Sequence, residues 1–558
     1  MKRYIVSGLL VLSSLGLSAQ SMYDAYTFGA TDYLGTARVV GLGGAVGAVG
    51  SDLGTIGVNP AGSAVASYSQ FVVSPSLSMS RTQTSYALNP SSNYGAANKT
   101  GRNKIKLPNI GLTTRFNSIL SSDASVTFGF VMNTTYDYNY EHSGSGVNGY
   151  SSKFAEMARA AQGITNEALG SSSFYDNSAN SSLWDAAMGY KIGLINGYGA
   201  DGNYVGCTEV LTSDGRRYVP GNLNQRSHQI TSGVKNDIIL NLAWNFSNKF
   251  YLGFNLGLPY LGYENVERYS EVAQVVEEFP IQFTYSDGSV QNTYFDNATY
   301  QYNYTAAGSG MYGKVGAIYL PFAGLRLGFA YQTPTVMDIT ETWMHSGRVA
   351  YADGSAYSGS SREGSYKYTV VTPRHFDFAL AYTFGRKGLI SADVSIEDYS
   401  PVRFIDSYDD SAFNFVNAAT SAFSGRAYNY RIGAEFNLTS DLAIRGGANI
   451  LTSAEKYYMV GGEKFYYSDY NDDYYYGRKE LPGNGSYVND IRYSYSLGLG
   501  YNPTGSFFAD FALRWTTMPS TNYQPYYNYT DSGVEYYSPL YRVNKTLLNA
   551  VLTLGWRF

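Results

Sequence analysis

Hydrophobic and polar side chains alternate strictly over much of the chain. From Asp237 to Phe246, Ile238, Leu240, Leu242, Trp244 and Phe246 fall on one side, and Asp237, Ile239, Asn241, Ala243 and Asn245 on the other. After Ser247-Asn248-Lys249 the pattern resumes, with Leu252, Phe254, Leu256 and Leu258 alternating against Gly253, Asn255 and Gly257. Successive side chains of a strand point to opposite faces, so this period of two predicts a hairpin with one apolar face. The same unit recurs at 315–331, 376–396, 428–450 and 493–515, and nearer the start Ile110–Phe116 pairs across a turn with Val126–Met132. Six hairpins supply twelve strands. Gln70–Ser80 and Lys545–Phe558 add two more.

The second face of these strands carries Arg115, Lys314, Arg326, Asp377, Asp393, Glu397, Arg431, Glu435, Arg445, Asp510 and Arg514 among Gly, Ser and Ala. Two sheets packed on their apolar faces would make a soluble sandwich. Long continuous apolar faces opposite mixed ionised and small residues instead fit lipid outside and a polar lumen inside. A sheet edge in lipid would leave amides unsatisfied, and closure removes it. The expected fold class is therefore all-β: a 14-stranded antiparallel transmembrane β-barrel. The short turns belong on the periplasmic side, and the long Tyr/Ser/Asn/Asp segments, such as 353–366 and 456–489, belong outside. In the longest connection, from about Asn139 to Ser227, Phe154, Met157, Ala161, Ile164 and Ala168 recur at helical spacing and predict one short amphipathic helix, a candidate ledge for collecting ligand.

Composition agrees with a membrane barrel. Charged residues make up 15% of the 558, aromatics reach 16%, and there are 56 Tyr and 60 Gly. A water-soluble surface of this size needs more charge, whereas aromatic belts and small lumenal residues suit a barrel. Lys2 and Arg3, the apolar run Tyr4–Leu17 and Ser18-Ala19 have the layout of a signal peptide over residues 1–19. The formal net charge of −5 gives no footprint for nucleic acid. The single Cys207 has no partner for a disulfide and no metal-ligand spacing, so no metal and no cofactor is expected. His375 and Asp377 share a strand face as a hydrogen-bonded lumenal pair, but no nucleophile accompanies them and no catalytic residues are assigned.

Residues 20–69 do not alternate. They read Thr36-Ala-Arg-Val-Val-Gly-Leu-Gly-Gly-Ala-Val-Gly-Ala-Val-Gly-Ser-Asp52 and then Gly57-Val-Asn-Pro-Ala-Gly-Ser-Ala64. Such Gly/Ala density allows close packing against a wall, and the segment is too short for a core of its own. It is expected inside the lumen as a hatch, with the barrel spanning 70–558. This stretch resembles the hatch signature of the FadL/TodX family of outer-membrane transporters for hydrophobic compounds, with Asn59, Pro60, Ala61 and Gly62 on its Asn-Pro-Ala-Gly motif. The strands at 325–334 and 431–450 and the final Leu554–Phe558 resemble the family too. Two features depart from it: Ser51-Asp52 stands where the family carries an acidic pair, and Ser63-Ala64 follows the motif in place of a larger apolar residue.

The resemblance implies passive uptake of fatty acids or aromatic hydrocarbons through the bacterial outer membrane by a non-enzymatic channel. Ligand would be captured on the loops, bound in the lumen and released sideways near a kinked third strand, here at Gly129, Asn133 and Thr134. Lumenal Arg115, Arg326, Arg431, Arg445 and Arg514 are candidates for a ligand carboxylate, or partners for the lumenal acids. The expected partners are a hydrophobic small molecule, outer-membrane lipid and lipopolysaccharide, and the barrel-assembly machinery through the C-terminal strand, for a monomer. A haem-binding receptor and a general porin are the alternatives.

Overall fold

A computed structural model describes residues 21–117, 124–176, 183–284, 290–460, 463–467 and 485–558. The expected signal peptide at 1–19, the turn at 118–123 and most of the 456–489 loop lie outside the described residues. Fourteen wall strands run antiparallel, each paired with its sequence neighbour: β1 Gln70–Ala87, β2 Asn98–Asn117, β3 Ser125–Asp137, β4 Leu223–Phe246, β5 Phe250–Ala273, β6 Val290–Tyr319, β7 Leu325–Gln332 with Val336–Tyr351, β8 Gly364–Val371 with Arg374–Thr383, β9 Gly388–Asp398, β10 Arg426–Asn437, β11 Leu442–Leu451, β12 Arg492–Tyr501, β13 Phe507–Thr517 and β14 Leu540–Arg557. β14 pairs with β1 from Leu540↔Ala87 to Arg557↔Gln70, which closes the sheet. Pro334 and Pro373 interrupt β7 and β8 opposite one another, each lacking a donor for the ladder.

The faces fall as the alternation requires. On β4, Asp237, Ile239, Asn241, Ala243 and Asn245 are buried inward, and Leu240 and Phe246 are exposed outward. Leu497 is 70% exposed and Ile432 61%, in an outward band with Leu499, Leu513, Leu380, Phe378, Phe254 and Phe130. So continuous an exposed apolar surface is stable only against lipid. Among the described residues no helix is long and apolar enough to cross a membrane.

Three strands exceed the sequence expectation. β6 has 30 residues, and β4 and β5 have 24 each. A tilted strand crosses a bilayer in roughly 9–11 residues, so their outer halves rise well beyond it. There the alternation is Tyr-rich and polar on both sides, which hides the strand from a hydrophobic pattern. They hold up a folded cap. The inner strand Tyr140–Asn148 pairs with β4, and α3 (Lys153–Ala160), α4 (Asn166–Gly170) and α5 (Trp184–Ile192) follow. The single expected helix is thus interrupted: Gly163 adopts φ +84°, a left-handed turn that ends the first segment before Ile164.

The cap has a dry core. Phe154, Met157, Ala158, Trp184, Ala187, Met188, Tyr204 and Cys207 pack on Phe295 and Ala298 of β6, Val349 and Tyr351 of β7, and Phe279 of the β5–β6 connection. Arg159 of α3 bonds Glu209 at 2.5 Å and Asp531 at 2.8 Å, and Arg217 meets Asp531 at 2.8 Å, which ties the cap to the last outer loop.

Candidate functional site: plug, wall and seam

The chain before β1 begins at the outer side of the lumen. α1 (Met22–Gly29) turns Met22, Ala25 and Phe28 to one buried face, and Asp24 accepts from the Ser21 amide at 2.6 Å, capping its first turn. Ala25 and Phe28 pack among Tyr138, Leu261, Ala306, Met337, Tyr368 and Tyr399 of the wall. At the other end of α1, Lys235 of β4 donates to the carbonyls of Phe28 at 3.0 Å and Ala30 at 2.5 Å. A cation there satisfies carbonyls that a helix C-terminus leaves open.

The segment then runs toward the end of the barrel that carries the short turns, bonded to the wall on all sides. α2 (Ala37–Gly41) begins at Thr36, and the Ala37 amide donates to Thr553 Oγ1 of β14 at 2.7 Å. Arg38 makes a two-pronged bond to Glu435 of β10 at 2.9 and 3.1 Å. The Gly47 amide donates to Asp393 of β9 at 2.8 Å, and Asn255 of β5 donates to the Ile56 carbonyl at 2.8 Å.

The Asn-Pro-Ala-Gly motif packs closely on the wall. Asn59 Nδ2 donates to the Gly47 carbonyl at 2.7 Å and to the Ala317 carbonyl of β6 at 3.1 Å, and its Oδ1 accepts from the Ala61 amide at 3.1 Å. Pro60 opens the short 3-10 turn Pro60–Val65, where its missing donor costs nothing. Ala61 is buried with Ala64, Ala243, Tyr251 and Ile318, and Gly62 lies against Thr55. The wall leaves room for the motif. A Cβ on Gly316 would sit 2.1 Å from Asn59 Oδ1, and one on Gly253 2.3 Å from the Pro60 carbonyl carbon. Only glycine permits backbone to approach that closely.

The five lumenal arginines divide in two. Arg431 bonds Asp377 at 3.2 Å, Arg445 bonds Glu435 at 2.6 Å and also Asp510, and Arg514 bonds Asp32 at 2.5 Å. Their guanidiniums are taken up by acids of the wall and plug. Arg115 donates to the Ser67 carbonyl at 2.7 Å and Arg326 to the Val49 carbonyl at 2.6 Å, neither with a carboxylate partner among the described residues. Arg326 and Arg38 border a cavity of about 260 Å³ at the short-turn end, with Ser51, Tyr68, Ala381 and Leu389. The expected His375–Asp377 bond does not form. His375 Nδ1 lies 3.7 Å from Glu397, while Asp377 is drawn away by Lys314, Arg431 and Ser395.

The third strand changes partner along its length. From Ser125 to Asn133 it pairs with β2, and Gly129 is paired on both sides, to Thr113 and Asn241. Past the Asn109↔Asn133 pair β2 departs. It has a register shift against β1 at Leu107-Pro108, where Ser74 opposes Asn109 but Ser76 opposes Lys106. β3 keeps β4 as far as Asp137, with its own irregularity between Thr134 and Tyr136. The carbonyls that β2 abandons are taken by the plug: Leu34 N donates to Thr134 O at 3.2 Å and Asp32 N to Thr135 O at 2.6 Å. Above this point the strand Tyr140–Asn148 tucks behind β1 and β2, held by Thr82 and Thr100 hydroxyls on the Glu141 carbonyl, while Arg102 of β2 reaches the Thr231 carbonyl of β4. The wall here is an overlapping seam, backed by the plug.

The sequence matches no protein-family model and no curated protein. Among solved structures, the architecture is similar to the Pseudomonas putida toluene transporter TodX, at 12% identity and a TM-score of 0.48, covering 95% of this chain and 100% of that one. A Pseudomonas aeruginosa FadL homologue gives 10% and 0.47, covering 94% and 99%, and the Ralstonia pickettii toluene transporter TbuX gives 14% and 0.41, covering 94% and 98%. The chain resembles the FadL/TodX channels. At these identities and scores the likeness carries no ligand across, and the architecture rests on the strand pairing and plug contacts above.

Sequence reasoning missed Lys235 and Asp32. Lys235 shares the inward face of β4 with Asp237, a visible signal for a lumenal role but not for its helix-capping partner. Asp32 lies in a stretch without periodicity, and only the fold brings it to Arg514 and Arg492.

Proposed function

We propose that the protein is a passive channel of the bacterial outer membrane that takes up small hydrophobic molecules, with residues 20–69 as its hatch. The carrying observation is the seam: β3 loses β2 beyond Asn133, and plug residues Asp32 and Leu34 hold the carbonyls exposed there. A route that leaves through the wall delivers solute into lipid, which suits an apolar molecule and not a hydrated one. Asn133 and Thr134 then mark the sideways exit, and withdrawal of 30–35 uncovers it. The Asn59–Gly62 motif anchors the lower plug while the upper part moves. Arg326 and Arg115, free of carboxylate partners, are the lumenal cations open to an acidic ligand near the periplasmic end. Filling of the lumen by ion-paired plug contacts argues against a general porin.

The test is uptake by proteoliposomes of radiolabelled long-chain fatty acid, toluene, haem and sucrose. The reading expects entry of at least one of the two apolar solutes, sucrose excluded, and loss of that entry when Leu34 and Asn109 are replaced by cysteines in a Cys207→Ser background and joined by a bifunctional crosslinker. Equal passage of sucrose and hydrocarbon overturns it, and haem uptake alone returns the receptor alternative.

A further inference from the structure

The charge of the wall is unevenly placed. The chain as a whole holds 39 Lys and Arg against 44 Asp and Glu. Yet β14, β1 and β2, three neighbours in the sheet, contain nine Lys and Arg and not one Asp or Glu, and the loop at 88–97 adds no acid. The inward cations of this group find partners: Lys106 bonds Asp137, Arg102 bonds the Thr231 carbonyl, and Lys545 lies over the Tyr140 ring. Arg81, Lys99 and Arg542 face outward and exposed, with no acid of their own strands to meet.

Register places these three together. Leu77 and Ile105 pair on the outward apolar band, and Met79 stands one outward step above. The next outward position on β1 is Arg81, the next pair is Gln83 with Lys99, and the next is Ser85 with Arg542. At about 3.4 Å per residue and 4.8 Å between strands, their backbones lie roughly 8–15 Å apart. Two of the side chains are held in place beforehand. Arg81 donates to the Ser80 carbonyl at 2.7 Å and to Asn103 Oδ1 at 2.9 Å, and the Arg542 guanidinium lies 3.8 Å from the centre of the Tyr94 ring. Outward positions on other strands carry acids instead: Glu264 with Ser232, Asp338 with Thr369, and Asp398 beside Arg426.

We infer that Arg81, Lys99 and Arg542 form a docking site for the phosphate groups of an outer-leaflet lipid. Like charges gathered without acids repel one another unless an anion neutralises them. Arginine and lysine held in fixed positions bind phosphate through charge-assisted hydrogen bonds, and prior ordering lowers the entropic cost. The occupant is a lipid because the cations stand directly above Met79, Leu77 and Ile105, the last 84% exposed, so acyl chains lie on the band while the head-group reaches the cations. A free anion would make no use of that apolar floor. The site also borders the free edge of β2, so the bound lipid would flank the seam.

The test is native mass spectrometry of the detergent-solubilised protein titrated with diphosphoryl lipid A, its dephosphorylated counterpart, and inorganic phosphate. The triple variant R81S/K99S/R542S is expected to bind diphosphoryl lipid A at least tenfold more weakly. A comparison triple on the opposite wall, K367S/R374S/R426S, should bind as the parent does. The dephosphorylated lipid should bind parent and triple alike, and millimolar phosphate should not displace lipid. All substituted residues are exposed, and heat-modifiable gel mobility verifies the fold; R542S alone serves if the triple fails to assemble. Unchanged lipid binding in the triple, an equal loss in the comparison triple, or displacement by inorganic phosphate would each overturn the site. The readout is independent of solute uptake.

Discussion

The plug and the cap both fill space within the ring of strands, and they differ in the balance of polar and apolar contact. The plug meets the wall through small apolar clusters, such as Leu53 and Ile56 against Val72, Val131 and Ile239, set among many backbone-amide bonds and ion pairs: Asn59 on the Ala317 carbonyl, Gly47 on Asp393, Arg38 on Glu435, Asp32 on Arg514. The cap meets it through a dry cluster of Phe154, Met157, Trp184 and Met188 against Phe295 and Val349. Apolar burial is non-directional and lost only by exposing the surface. Polar contacts exchange for water at a small net cost each when water can reach them. On that difference rests the proposal that the plug shifts while the cap stays in place.

That contrast is open to attack at both ends. The largest effect is expected from Arg445→Leu. It leaves Asp510 without its ion-pair partner and Glu435 with Arg38 alone, and removing one member of a buried pair costs about 3–5 kcal/mol. Plug amides at 37–47 should exchange hydrogen much faster while cap amides stay protected; a cap that loosens equally would show that the two are one unit. Phe154→Ala is the mirror experiment. Deleting a fully buried ring costs about 3–5 kcal/mol, so protease should cut 150–220 while the plug keeps its protection.

Gly316→Ala is a smaller and more local change. Its methyl would meet Asn59 Oδ1, so the motif must shift, by about 1–3 kcal/mol as for other overpacked sites. Planar-bilayer recordings should show brief openings to small ions that the parent lacks. Silent recordings would mean that the motif is not a lock. The mildest test is acid. Burial works to raise the Asp531 carboxyl, but Arg217 and Arg159 outweigh it and hold it below the usual carboxylate range. A depressed carboxyl contributes fully above its unfolded value and loses that contribution as pH falls through its folded value. Spin labels at Ser532 and Ser213 should keep their distance from pH 7 to 5 and separate below about pH 4, with Asp531→Asn already separated at neutral pH.

The wall was legible because lipid imposes a period of two on any strand that faces it. Ile238–Phe246 and Phe376–Phe384 announce their strands, their faces and their turns, and closure follows from the cost of an open edge in lipid. The cap was legible only in part. Phe154 and Met157 show helical spacing, and Trp184, Ala187, Met188 and Ile192 carry the same signal for α5, yet the Tyr-rich outer halves of β4, β5 and β6 alternate too weakly to be recognised.

At the site, composition marked Asn59–Gly62 as a place of close packing, and the alternation marked Arg431, Arg445 and Arg514 as lumenal. Which acid each arginine meets was settled by register and by the path of the plug, since Asp32 and Arg514 are brought together across the whole length of the chain. Likewise the side-chain pattern around Thr134 is that of ordinary strand, and only the family resemblance singled out Asn133 and Thr134. The loss of β2, and its replacement by Asp32 and Leu34, go with a register shift of β2 against β1. Local side-chain order determines which way a strand faces. Partners distant in sequence are chosen only when the whole ring closes around its own beginning.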